Sequence, residues 1–439
     1  MILLHGLGGA QDLPVPAPLA ITAGGVALVA SFVVLVLAWR RPRYDDRPEA
    51  AGRSRARVLG ALDSSAARAL WRLVGLAFFG YATWALLAGP DNNNNPVLGV
   101  FYVLVWVGVV PASLLFGRVA RALSPVRTID LVLGRLVRGH PSRGLLAYPE
   151  RLGNWPAAIG LFWFVWQELV DPDQVALATI QTWLGVYLVV MLLGTAVFGE
   201  VWLERADPFE VYSDLLAKLS VWGRDREGRL LLRSPLANLA TVTPRPGLVA
   251  VVAVLFGSTA FDSYKDSLRW VRFVDARTTH VTWFNSGALI VFCAVVGVTF
   301  TIAAHATATR PGVPRRGLPT AYAHSVVPII VGYMTAHYLS YFVEQGQQTV
   351  IQLSDPMVTG ADYLGTAGLT PNLWLSAHPT FLATTKVIAV VIGHVVGIVA
   401  AHDRALTLLP PRHRVTGQLA MVAVMVCYTI AGLYLLFGT

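Results

Sequence analysis

Ten stretches of 14 to 24 mostly apolar residues recur along this chain, and that much apolar length has no stable place except inside a lipid bilayer. They run 19–39, 70–88, 97–116, 155–170, 175–198, 248–261, 284–304, 321–343, 380–401 and 418–437. Composition agrees: charged residues make up 13% of the 439 and mean hydropathy is +0.57, whereas soluble domains carry about a quarter charged residues. The fold class expected is an all-α polytopic transmembrane helical bundle, one integral membrane domain over 1–439.

Sidedness follows from charge, because short cytoplasmic loops collect Lys and Arg. With the loops after spans one, three, five, seven and nine placed inside, they and the adjoining span ends hold 29 of the 34 basic residues. Lys265, Arg269, Arg272, Arg277 and Lys386 stay outside, beside 11 acidic residues. Both termini are then expected on the outer side, with net charge about −6 outside and +15 inside before histidine. The excess charge of +9 is spread between apolar runs, which argues against a nucleic-acid surface. Cys293 and Cys427 lie inside apolar runs and form no CxxC motif.

Residues 1–16 are expected as an outer segment, 199–246 as a cytoplasmic loop with a helix lying on the membrane surface, and 344–379 as an outer loop or lid. The surface helix is read from Phe209, Tyr212, Leu215, Leu216 and Leu219, which share one helical face. Arg53 to Arg72 reads as an interfacial helix leading into span two. Pro111 and Pro328 fall at different depths in spans three and eight, so no inverted repeat is visible.

Spans four and six are short, covering roughly 21 to 24 Å of a core about 30 Å thick. Each ends outward in acid, at Glu168 and at Asp262 with Asp266. His337 and Lys386 sit at similar depth in spans eight and nine, and His337, Tyr341 and Glu344 are spaced i, i+4, i+7. Ionisable groups at such depth are costly unless paired or wet, so their default reading is functional. The expectation is one outer cavity lined by Glu168, Asp262, His337, Tyr341 and Lys386, with Glu344 and Asp266 at its rim and His280 and His378 within reach. A second set, His305, His324, His394 and His402, lies toward the inside without HxxxH, HxH or HExxH spacing. For it, a proton relay competes with ordinary helix-packing hydrogen bonds.

"HGLGGAQDLPVP" (5–16) lacks the GxxxxGK[ST] pattern and a preceding strand, which excludes a phosphate loop. It reads as a plug over the outer cavity, stiffened by Pro14 and Pro16, with His5 and Asp12 facing the polar layer.

That stretch, with "PVLGVFYVLVWVGVVPASLLFGRVARALSPVRTI", "WPAAIGLFWFVWQELV", "FGSTAFDS", "VGYMTAHYLSYFVEQGQ", "LSDP" followed by "LGTA", and "VIGHVVGIVAAHDRAL", resembles the bacterial polytopic membrane proteins of the fenitrothion hydrolase family. The resemblance covers most of the chain. It implies a bacterial cytoplasmic membrane and hydrolysis of an organophosphate triester to a phenol and a dialkyl phosphate-type product. It carries no catalytic residues onto this sequence. Members often have a signal-like segment before the glycine stretch; here only "MILL" precedes it, too short for a signal peptide.

Three function classes follow. As a hydrolase of a lipophilic ester, His337 or Glu168 would act as base and Lys386 and Tyr341 as oxyanion partners. Asp262, Asp266, His337, His280, Glu344 and His5 would then be the pool of ligands for a divalent metal. As a transporter, the same layer would bind an ion, metal or small solute and exchange protons. As a non-catalytic subunit, it would be a buried polar network beside another membrane chain. The partners expected are the lipid bilayer, a lipophilic substrate or transported ion, and a further membrane subunit.

Overall fold

The computed structural model describes residues 9–44, 56–137, 144–225, 227–277 and 279–438. His5 and Arg53 lie outside the described residues. Ten principal helices follow the ten apolar runs: α1 (Ala17–Ala38), α2 (Ser65–Ala88), α3 (Pro96–Val107 with Val109–Phe116), α4 (Trp155–Leu169), α5 (Leu177–Phe198), α6 (Leu248–Lys265), α7 (Val281–His305), α8 (Arg315–Gln352), α9 (Pro379–Leu408) and α10 (Thr416–Phe437). Eight are long and apolar enough to cross a membrane, and the count reaches nine when α3, bent by 46°, is taken as one span. At 15 residues α4 stays short. The sixth helix is longer than its apolar run: it continues past Phe261 to Lys265, so Asp262 and Ser263 are helical residues. Lys265 lies one turn beyond Asp262, and their ion pair at 3.1 Å spans that added turn.

The chain divides into two compact units: Met1–Asp46 with Leu239–Ser340 and Leu373–Thr439, and Arg47–Asn238 with Tyr341–Asn372. The division falls inside α8.

In the first unit α6 is the central helix, with every residue from Val251 to Ser263 buried. Its neighbours approach through small residues, as membrane helices do where lipid offers no hydrophobic drive to associate. A Cβ on Gly257 would lie 2.6 Å from Cys293 Cα on α7. The α8 and α9 backbones meet at Gly332, Gly393 and Gly397, where added Cβ atoms would stand 2.4 Å from Ala389 O, 2.6 Å from Pro328 O and 2.7 Å from Ser325 O. The same helix α9 latches the end of α1. Asp403 accepts from Trp39 Nε1 (3.1 Å), Arg43 N (2.7 Å) and Tyr44 N (3.1 Å), and His402 Nε2 donates to Trp39 O at 2.9 Å.

In the second unit two spans change pitch. Val100–Val107 of α3 and Tyr341–Gln345 of α8 are π-helical, the wider turn that often marks functional segments. They pack together: Gly108 faces Phe342, Gly346 faces Val103, and Gly99 leaves room for Thr349. The segment expected as one surface helix is instead two helices and a hairpin. Glu200–Ala206 ends at Asp207, Pro208 starts Pro208–Ala217, and β1 (Trp222–Arg224) pairs antiparallel with β2 (Leu230–Leu232). Gly228, at φ +77°, supplies the left-handed residue of the connecting turn. Pro208–Ala217 does not lie on a surface; Tyr212 and Leu216 are fully buried. Two arginines and three glutamates form a shared network beside it. Arg127 grips Glu210 with both arms (2.6 and 2.7 Å), and Arg121 bridges Glu200 (2.8 Å) and Glu204 (2.7 Å). Asp207 caps the helix by accepting from Phe209 N and Glu210 N, and takes Tyr187 OH at 2.9 Å. Burial, reinforced by the Glu210 charge, nevertheless pushes its carboxyl up to about 7.

Two outcomes follow. Gly393→Val forces α8 and α9 apart and lowers stability by roughly 1–3 kcal/mol, read as a lower unfolding midpoint in detergent. Because the folded-state pKa of Asp207 is raised, its protonated form stabilises the fold below the ordinary value of 3.8, and that contribution disappears as pH rises through about 7. Asp207→Asn, which keeps the cap acceptor, flattens the dependence of the midpoint on pH across that window.

Candidate functional site

Two helices of the first unit build a polar centre in an otherwise apolar core. From α6 come Asp262, Ser263 and Lys265; from α8 come Tyr333, His337 and Tyr338. Tyr333 and His337 share a helical face at i, i+4, and Tyr338 reaches the same carboxylate from the next position. Asp262 is 3% exposed and His337 5%, so neither charge is solvated by water.

The carboxylate is satisfied by the protein itself. Asp262 Oδ2 accepts from Tyr338 OH at 2.5 Å and from His337 Nε2 at 2.9 Å, and Oδ1 lies 3.1 Å from Lys265 Nζ. A carboxylate has no proton to give, so Nε2 carries the hydrogen and Nδ1 is left for a second partner. Ser263 Oγ sits 3.1 Å from that Nδ1 and can donate to it, while Tyr333 OH donates to Ser263 Oγ at 2.9 Å. The result is a continuous hydrogen-bonded chain, Asp262, His337, Ser263, Tyr333. Lys265, 26% exposed, keeps the centre near neutral when His337 is neutral.

Of the residues expected to share one cavity, Asp262 and His337 are brought into direct contact. Lys386 belongs to the same unit, 3% exposed on α9. The contacts Pro328 with Gly393 and Gly332 with Ala389 run antiparallel, and one further turn sets Lys386 at the level of Ala336 and His337. Asp12 acts on Lys386 electrostatically, and the short helix Ala10–Asp12 packs on α9. Asp266 is the C-cap of α6, exposed but within electrostatic reach of Asp262, Lys265 and His337. His280 is an exposed left-handed N-cap of α7, and His378 is exposed at the start of α9, stacked on Trp374. Glu168, Tyr341 and Glu344 belong to the second unit. There Tyr341 and Glu344 are buried in the π-helical turn of α8, and the half-buried Glu168 acts on Tyr102 and Tyr212.

Among the described residues no three His, Cys, Asp or Glu side chains gather as a metal site. For Asp262 the reason is visible: Tyr338, His337 and Lys265 already occupy its oxygens. The second histidine set is bound to backbone or helix ends. His324 Nδ1 pairs with Ala321 O (3.0 Å), His394 Nδ1 with Val390 O (2.8 Å), His402 with Gln418 and Trp39, and His305 is exposed.

Ser263, Lys265, Tyr333 and Tyr338 are participants that the reading of depth alone missed. The signal for Ser263 and Lys265 was their place in "FDSYK" beside Asp262; that for Tyr333 was its i, i+4 spacing from His337. Compared with known proteins, the chain matches no family model, no curated protein and no solved structure.

Removing one partner of a buried hydrogen bond to a charged group leaves the other unsatisfied, at a cost of about 1–3 kcal/mol or more. Asp262→Asn and His337→Gln are therefore each strongly destabilising, and the double variant loses less than the sum of the two. Unfolding midpoints of the four proteins in one detergent measure that coupling.

Proposed function

We propose that this chain is an integral membrane transporter whose proton-binding centre is the Asp262–His337 pair, moving a small solute or ion in exchange with protons. The observation that carries the reading is the two-sided bonding of His337, Nε2 to Asp262 and Nδ1 to Ser263, inside the apolar core. Protonation at Nδ1 would make the ring a second cation on the Asp262 carboxylate, opposite Lys265. The added charge alters the balance of a buried centre, and a desolvated centre reports that change as a preference between helix arrangements. The basic-residue division supports a cytoplasmic membrane with both termini outside. The bilayer is the first partner, and lipid-facing surfaces leave room for a further membrane subunit.

One observation favours a second reading. Ser263, His337 and Asp262 stand in the order nucleophile, base and orienting carboxylate. In a hydrolase of a lipophilic organophosphate ester, as the resemblance to the fenitrothion hydrolase family implies, Ser263 Oγ would attack phosphorus while His337 Nδ1 takes its proton and the phenolate leaves.

Liposomes holding the purified protein and a trapped pH dye separate the two. Under an imposed membrane potential and a panel of solute gradients, wild-type protein should acidify or alkalinise the lumen, His337→Gln and Asp262→Asn should abolish this, and Ser263→Ala should keep most of it. Equal proton movement in wild type and His337→Gln would sink the transport reading. Release of a nitrophenol from a phosphotriester, lost in Ser263→Ala and unaffected by chelator, would establish the hydrolase instead.

A further inference from the structure

We propose that a groove between α4 and α5, in the second unit, binds an organic cation bearing a quaternary or fully alkylated ammonium group. The groove has a volume of about 310 Å³ and is walled by Trp163, Trp166 and Trp183, with Gln167, Asp171 and Thr182 among its polar edges. A cavity of this size takes a small molecule.

Its chemistry selects the charge. Aromatic faces present the negative part of their quadrupole, and Trp does so most strongly, so three indoles around one space attract a cation. Trp163 and Trp183 are in direct tilted contact, ring centroids 5.2 Å apart at 34°, so together they form one continuous aromatic wall. Trp183 is held rigid: it is 2% exposed and its far face stacks on Tyr187 at 5.3 Å and 13°. Asp171, partly exposed just beyond the end of α4, adds a formal negative charge.

The surrounding sequence repeats the preference. No Lys, Arg or His occurs between Arg151 and Arg205, whereas Glu168, Asp171 and Asp173 all fall there. An anion would meet only repulsion. A hydrated primary ammonium or metal ion would lose water to faces that return no strong hydrogen bonds, whereas a methylated ammonium is weakly hydrated and loses little. The groove therefore fits an alkylated ammonium, either as a free solute or as the choline headgroup of a lipid.

Titration calorimetry of the full chain in detergent tests this with choline and tetramethylammonium as probes, and 3,3-dimethylbutanol as the neutral isostere of choline. Both cations should bind, the alcohol should bind at least about tenfold more weakly, and Asp171→Asn should weaken the cations by about tenfold while leaving the alcohol unchanged. Trp166→Phe should keep part of the affinity and Trp166→Ala lose most of it. Should the Trp variants fail to fold, Asp171→Asn decides, because that side chain is partly exposed outside the helix. Equal binding of the alcohol and choline would overturn the proposal and leave only an apolar groove; no heat from either cation would overturn it outright. Repeating the choline titration in phosphatidylcholine and phosphatidylglycerol nanodiscs identifies the source. Weaker choline binding in phosphatidylcholine assigns the site to the lipid headgroup, and equal binding assigns it to a free cation.

Discussion

A carboxylate with almost no access to water must have its charge answered by the protein, and the Asp262 contact with His337, Tyr338 and Lys265 is where this chain meets that demand most completely. Several kcal/mol of desolvation per ion is returned only when every lone pair has a donor. The requirement fixes more than one side chain. It holds α6 helical through Lys265, it keeps the His337 ring in one tautomer, and through Ser263 and Tyr333 it extends the polar centre along the face of α8. The remaining first-unit helices supply an apolar wall that keeps water from relaxing these constraints.

The same rule recurs elsewhere with a different outcome. In the second unit Arg127 and Glu210 meet as a bidentate pair with Arg121, Glu200 and Glu204 around them. Asp403 is enclosed by the indole N–H of Trp39 and two backbone N–H groups. These are fasteners between elements. The Asp262 centre differs in holding an imidazole between a carboxylate and a hydroxyl.

The helices were legible in the sequence because a bilayer leaves so few alternatives. Apolar runs gave each of the ten principal helices its location. What periodicity could not give was the local departure from regular pitch. His337, Tyr341 and Glu344 share a face on an ideal α-helix, yet from Tyr341 the backbone is π-helical and the spacing of that face no longer holds. Expected depth paired Asp262 with His337, which are in contact, but depth is one coordinate and a contact needs three. Glu168 matches them in depth and belongs to the other unit, where its neighbours are Tyr102 and Tyr212. In the 199–246 segment the apolar spacing located a helix, Pro208–Ala217, but gave neither the break at Pro208 that separates it from Glu200–Ala206 nor the hairpin beyond it.

The glycines of α8 and α9 explain why the centre can be held so tightly. Gly332 and Gly393 let the two backbones approach until Cβ atoms would collide with carbonyl oxygens. At that separation a slip of one residue would bring larger side chains into the contact, so the register is fixed by steric exclusion and not by attraction. His337 lies one turn along α8 from Gly332, and Lys386 two turns along α9 from Gly393. Their levels in the core follow from the same packed glycines. A shift of either helix is therefore met at once by the other, because the packed backbones leave no room for them to move independently.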